Sequence, residues 1–105
     1  MAIIETRAFT ARIGDLMADD EYRELQLHLA AHPTAGDVVP GTGGFRKVRW
    51  GAKGRGKRGG CRVLYLWHAA SNRLLMLFAF SKSERVDLTA EQKKVLRRIV
   101  EAEYR

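Results

Sequence analysis

Two apolar periodicities divide the chain. From Ala8 to Met17 the residues Phe9, Ile13, Leu16 and Met17 recur at helical spacing, which predicts a helix, weakened by Gly14. Ala2 to Glu5, ahead of it, predicts a short strand. Asp19 or Asp20 is suited to cap a second helix, because either carboxylate can accept an orphan backbone N–H. Tyr22, Leu25 and Leu29 form the apolar stripe of that helix, and His32-Pro33 ends it, since proline disfavours helix in the residue before it. The two helices predict an αα-hairpin.

The spacing then changes to two. Asp37 to Gly44 reads as a turn-rich connection with Pro40, Gly41, Gly43 and Gly44. Phe45 to Trp50 alternates as a strand does, with Phe45, Lys47 and Arg49 on one side and Arg46, Val48 and Trp50 on the other. Cys61 to His68 and Arg73 to Phe80 predict two more strands, each apolar on both faces. The short connections make the three strands an antiparallel meander. Thr89 and Gln92 have capping-box spacing at the start of a last helix, whose expected buried face is Leu88, Val95, Leu96 and Ile99. Helices on an antiparallel sheet make the fold α+β, in a single domain spanning 1–105.

Charge is unevenly placed along this pattern. Between Val38 and Ser83 there is no Asp or Glu, but there are ten basic residues: Arg46, Lys47, Arg49, Lys53, Arg55, Lys57, Arg58, Arg62, Arg73 and Lys82. The rest of the chain has nine basic residues against twelve acidic ones, so the net charge of +7 is concentrated in the middle. Such an excess of one sign points to a polyanionic partner, and a nucleic acid is the leading one. The lone Cys61 excludes an internal disulfide and a zinc-knuckle spacing. No signal peptide is read at Met1 to Glu5, and the longest apolar run, Leu74 to Phe80, is too short to span a bilayer. These features predict a cytoplasmic protein with no membrane partner.

Other motifs carry less. Gly51 to Lys57 fits the first seven places of a phosphate-binding P-loop, but Arg58 stands where a Ser or Thr should bind magnesium, and a strand follows where a helix is required. Gly54, Gly56 and Gly59 spell a dinucleotide fingerprint that lacks its helix as well. His28 and His32 share a helix face, with Asp37 as the nearest carboxylate beyond them, which falls short of a metal site. No metal or cofactor is expected. What remains is a basic surface on which Lys47 and Arg49 share a strand face, Arg62 can lie across from them, and Lys82 follows the last strand.

The ordered run Gly41 to Arg49, then Gly51 to Tyr65, with Phe80 to Glu84 and Asp87 to Thr89 after it, resembles bacterial toxins of the RelE/ParE superfamily, most closely the HigB-like, RelE-type branch. Asp20 to Arg23 and Gly36 to Val38 add to the likeness. The resemblance implies a toxin of a type II toxin–antitoxin pair, an endoribonuclease that cuts mRNA in the ribosomal A site without a metal. The ribose 2′-oxygen attacks the adjacent phosphate, leaving a cyclic phosphate and a 5′-hydroxyl. That chemistry needs a base, cations for the developing phosphorane charge, and an acid for the leaving oxygen.

Carried over by the resemblance, Lys47 and Arg49 position the phosphate, Arg62 clamps the transition state, and Lys82 or Lys53 carries the proton. Arg46, Arg55, Lys57 and Arg58 are assigned to the RNA backbone. Two departures bear on this: Ser83 stands where RelE has an arginine, and Thr89 falls near its catalytic tyrosine. The acid–base roles therefore do not transfer directly. The implied partners are a cognate HigA-like antitoxin with a helix-turn-helix, the ribosome and mRNA, with operator DNA reached only through the antitoxin complex. Two alternatives stay open: a gyrase-inhibiting toxin like those of the ParE branch, and a nucleic-acid-binding module without catalysis.

Overall fold

The computed structural model describes residues 1–51, 60–84 and 87–104. Its elements run β1 (Ala2–Glu5), α1 (Arg7–Leu16), α2 (Asp19–Ala31), β2 (Asp37–Val38), β3 (Arg46–Trp50), β4 (Cys61–His68), β5 (Arg73–Ser81) and α3 (Ala90–Glu103). The five strands form one sheet in the order β1-β5-β4-β3-β2. β3, β4 and β5 are the expected antiparallel meander. The sheet as a whole is mixed, because β1 pairs parallel with β5. β2 pairs with β3 inside the segment expected to be only turn, with Asp37 opposite Lys47.

The sheet has an apolar layer on each face. Phe9, Ile13, Leu25 and Leu29 of α1 and α2 pack on Val48, Val63, Tyr65, Leu74, Met76 and Ala79. On the opposite face Leu96 of α3 packs on Phe45 and Leu66, with Leu75, Leu88 and Val100 around them. β4 is therefore sandwiched, and its near-continuous apolar run is what a strand buried on both faces requires.

The helix starts follow local chemistry. Thr6 caps α1: its Oγ1 accepts from Phe9 N at 3.1 Å and donates to Leu77 O at 2.6 Å. α2 is capped one residue earlier than the sequence suggests. Ala18 is the N-cap, and Asp19 and Asp20 lie in the first turn. The Glu21 carboxylate reaches back to accept Ala18 N at 2.9 Å, so the third residue of the helix does the work expected of the first two. For α3 the reciprocal pair forms as expected, with Thr89 Oγ1 accepting Gln92 N at 3.1 Å and Gln92 Oε1 accepting Thr89 N at 2.9 Å. Leu96 is buried on α3, whereas Val95, expected in its buried face, is 52% exposed. The packed stripe instead passes through Leu96 and Val100, one helical turn apart.

β5 contains a bulge. Tyr65 is opposite Met76 but Leu64 is opposite Phe78, so Leu77 is the extra residue. The bulge resets the alternation, which lets Leu74, Met76 and Ala79 all join the α1/α2 core while Phe78 and Phe80 share the other face. Those two rings stack at 6.3 Å.

The connection from α2 to β2 is clamped by Tyr65, which is wholly buried. Its phenol donates to Pro33 O at 2.8 Å and accepts from Gly36 N at 3.0 Å. A Cβ on Gly36 would lie 2.9 Å from both Lys47 O and Tyr65 Cε1, so only glycine allows this approach. Arg46 completes the clamp by donating to Gly36 O at 2.8 Å. Tyr65→Phe keeps the ring but strands the Gly36 N–H, and should destabilise the fold by about 1–3 kcal/mol in urea unfolding. An unchanged midpoint would contradict this account.

The turn after β5 is held by a carboxylate. Glu84 forms an ion pair with Arg12 of α1, and its Oε1 accepts from Ser81 N at 3.0 Å. The Ser81 backbone N–H first, and Arg12 with it, lower the Glu84 pKa to about 2. A lowered carboxylate stabilises the fold above its unfolded pKa, and the contribution fades as pH falls toward 2. Wild type should therefore lose stability between about pH 4.5 and 2 more steeply than Glu84→Gln, as followed by thermal melts across that range. Parallel curves for the two proteins would refute the assignment.

Candidate RNA-cleavage site

The β3–β4 register sets the geometry of the basic surface. Burial of Val48 against the α1/α2 core turns Lys47 and Arg49 to the opposite face. On β4, Val63 and Cys61 are buried toward that core, so Arg62 between them also faces away. The register pairs Arg49 directly with Arg62, and Lys47 with Leu64. Two guanidinium groups thus stand on opposed positions of neighbouring strands, an arrangement that destabilises a sheet when nothing anionic lies between them.

Among the described residues no ion pair or side-chain hydrogen bond involves Arg49, Arg62, Lys47 or Lys82. Lys47 and Arg49 are exposed and Arg62 is half-buried. Lys82 is exposed in the turn after β5. Because Ser81 is opposite Cys61, that turn lies at the same end of the sheet as the arginine pair. The Arg12–Glu84 contact therefore anchors the segment that carries Lys82.

The structure brings together Lys47, Arg49 and Arg62 on one face, with Lys82 at its end. It does not bring Arg46 to them. Arg46 is on the other face, as the alternation of β3 implies, and its guanidinium is engaged with Gly36 O and, at 3.3 Å, Thr34 O. Lys53, Arg55, Lys57 and Arg58 lie outside the described residues. The two departures have structural uses: Thr89 caps α3, and Ser83 Oγ lies 3.1 Å from Ser81 Oγ.

A small depression of about 120 Å³ lies at the arginine pair itself, lined by Arg49, Trp50, Cys61 and Arg62, and two larger ones lie toward α3. Between the first turns of α3 and the sheet is an apolar groove of about 580 Å³ formed by Leu64, Leu77, Phe78, Leu88, Val95 and Leu96, with Glu91 and Gln92 at its edge. Next to it lies a smaller pocket of about 300 Å³ that Lys47 shares with Asp87 and Lys93. Sequence reasoning did not assign Asp87 or Lys93 to the site, although they flank the Thr89 cap by two and four residues and Asp87 belongs to the run that carries the family resemblance.

The other chemically interesting side chains have structural placements. The His28 ring packs at a tilt against Trp50 and His32, with centroids 5.1 Å and 5.4 Å apart. Among the described residues no three His, Cys, Asp or Glu side chains come together in a metal-binding group. His68 Nδ1 lies 2.6 Å from Ser71 Oγ, and its ring meets Tyr104 edge-on. Cys61 is buried, which pushes its thiol up to about 11 and leaves it unreactive. No helix among the described residues is long and apolar enough to cross a membrane.

An arginine pair on an open sheet face, flanked by two lysines, has the charge and hydrogen-bond donors that suit an anion such as a phosphate group. The family model described as "RelE toxin of RelE / RelB toxin-antitoxin system" matches residues 11–104, which include every element that builds this site. The chain therefore belongs to the RelE toxin family, the toxin half of a toxin–antitoxin pair.

Proposed function

We propose that this toxin is a ribosome-dependent mRNA endonuclease that stops translation by cutting in the A site without a metal. The observation that carries this reading is the Arg49–Arg62 pair, directly opposed and free of carboxylates among the described residues. A rigid sheet holds both cations before substrate arrives, so little reorganisation is needed as charge builds on the phosphorane. Arg62, half-buried, acts as the clamp on the non-bridging oxygens. Arg49 and Lys47 position the phosphate along the strand.

The reaction balances within the RNA. A base removes the 2′-hydroxyl proton, the 2′-oxygen bonds to phosphorus, and the bond to the 5′-oxygen breaks. The leaving oxygen takes up a proton, giving a 2′,3′-cyclic phosphate and a 5′-hydroxyl. We assign the proton transfer to Lys82, exposed in the turn at this end of the sheet, with Lys53 as the alternative. The Gly51–Gly60 segment contributes Arg55, Lys57 and Arg58 to rRNA or mRNA backbone.

The family pairs its toxins with an antitoxin. We assign this chain a HigA-like partner with a helix-turn-helix, through which the complex reaches operator DNA. An amphipathic acidic segment would set apolar side chains in the groove between α3 and the sheet and carboxylates over Lys47 and Lys93.

Primer extension on one mRNA in a purified translation system, with and without ribosomes, tests the reading. Wild type should cut at A-site codons only when ribosomes are present. Arg62→Ala should lower the cutting rate by about 100-fold or more, the scale expected when one charge-stabilising donor is lost. Intact mRNA with folded wild-type protein would reject the nuclease and direct attention to gyrase supercoiling.

A further inference from the structure

The smaller pocket beside the basic row has a composition that phosphate binding does not explain. Its walls are Val39, Leu64, Phe80 and Leu88, and its polar groups are Lys47, Lys93 and Asp87. Asp87 is exposed and, among the described residues, has neither a hydrogen bond nor an ion pair, although two lysines line the same pocket. A carboxylate here repels a second phosphate. Apolar walls with a few convergent polar groups instead suit a planar ring that carries both donors and acceptors.

We propose that this pocket is a guanine subsite for a nucleotide next to the scissile phosphate, with Asp87 as the residue that selects the base. A carboxylate is acceptor-only and favours two neighbouring donors in a bidentate contact. Guanine alone among the four bases presents such a pair on its pairing edge, N1–H beside the N2 amino group. Adenine and cytosine each offer an amino group beside a ring acceptor, and uracil offers one imino donor between two carbonyls. Lys93, an obligate donor, complements the guanine O6 that lies beside N1–H.

The pocket's position fits a nucleotide that also touches the arginine pair. Lys47 belongs to both sites and lies two residues from Arg49 on the same strand face, about 7 Å along β3. A ribose spans that separation between its phosphate and its base. Lys47 thus sits where the backbone passes from one site to the other. Substrate selection adds to the proposed nuclease function and rests on it for its biological meaning, but base binding can be measured without cleavage.

Fluorescence anisotropy with 2′-O-methyl pentaribonucleotides of sequence UUGUU, UUIUU and UUAUU measures binding alone, because the blocked 2′-oxygen cannot attack. Wild type should bind the guanine probe about tenfold tighter than the adenine probe, the scale of one bidentate base contact. Inosine, which lacks the N2 amino group, should fall between them. Asp87→Ala should bring the guanine probe to the adenine level while leaving adenine binding no weaker, which also shows that the variant is folded. Equal binding of guanine and adenine probes by wild type, or a guanine preference that survives Asp87→Ala, would overturn the proposal. In the translation system, a nuclease cutting without base preference would sink the subsite and leave the enzyme standing. A wild type that prefers the guanine probe yet cuts nothing would do the reverse.

Discussion

The register of β4 between its neighbours is the constraint on which the molecule depends. Cys61, Val63 and Tyr65 are buried toward the two N-terminal helices, while Leu64 and Leu66 are buried on the opposite side. A slip of one residue against β3 would exchange these faces and move Arg62 toward the α1/α2 core. Each large apolar side chain so displaced would forfeit about 1.5–3 kcal/mol. Core packing therefore holds Arg49 and Arg62 opposite each other despite their repulsion. The stability of one face sustains an electrostatic strain on the other, which an anion bound between the two guanidinium groups would relieve.

The bulge in β5 extends the same division of labour. Without the extra residue at Leu77, either Met76 or Ala79 would leave the core, because they are an odd number of residues apart. With it, Phe78 and Phe80 pass to the basic side. The Leu77 carbonyl accepts from the Thr6 hydroxyl, so the irregular strand is tied to the residue that starts α1. Arg12, further along that helix, then holds Glu84 beyond the strand end. α1 thereby supports both the strand that supplies the aromatic floor and the turn that carries Lys82.

Much of this was legible because burial and periodicity speak directly. The alternation of Phe45 to Trp50 placed Lys47 and Arg49 together and Arg46 opposite, as the structure has them. Thr89 and Gln92 announced their cap in full. What was hidden depended on distant contacts. The parallel pairing of β1 with β5 has no local signature, and a bulge in a strand that is apolar on both faces leaves the pattern unchanged. The two-residue β2 lay within glycine and proline turns, and its pairing is held by Tyr65, 29 residues from the Gly36 it anchors. The Ala18 cap was obscured by two good capping residues beside it. Val95 looked buried because helical spacing identifies a stripe without saying how far the sheet extends beneath it.

That last point governs the site. Leu96 and the residues around Val100 press α3 onto Phe45 and Leu66, so the C-terminal part of the helix closes its portion of the sheet. A Cβ on Gly43 would come within 3.3 Å of the Arg97 backbone, which shows how closely the β2–β3 turn approaches the same stretch. Toward its N-terminus the helix stands off, leaving Val95 exposed above the groove. The Thr89–Gln92 cap fixes where the helix begins, and with it the position of Leu88 and Asp87 just ahead. Had the helix started a turn earlier, its backbone would occupy the space now bounded by Lys47 and Phe80. The cap thus contributes to more than helix stability: it keeps the approach to the arginine pair open and sets a carboxylate at its edge.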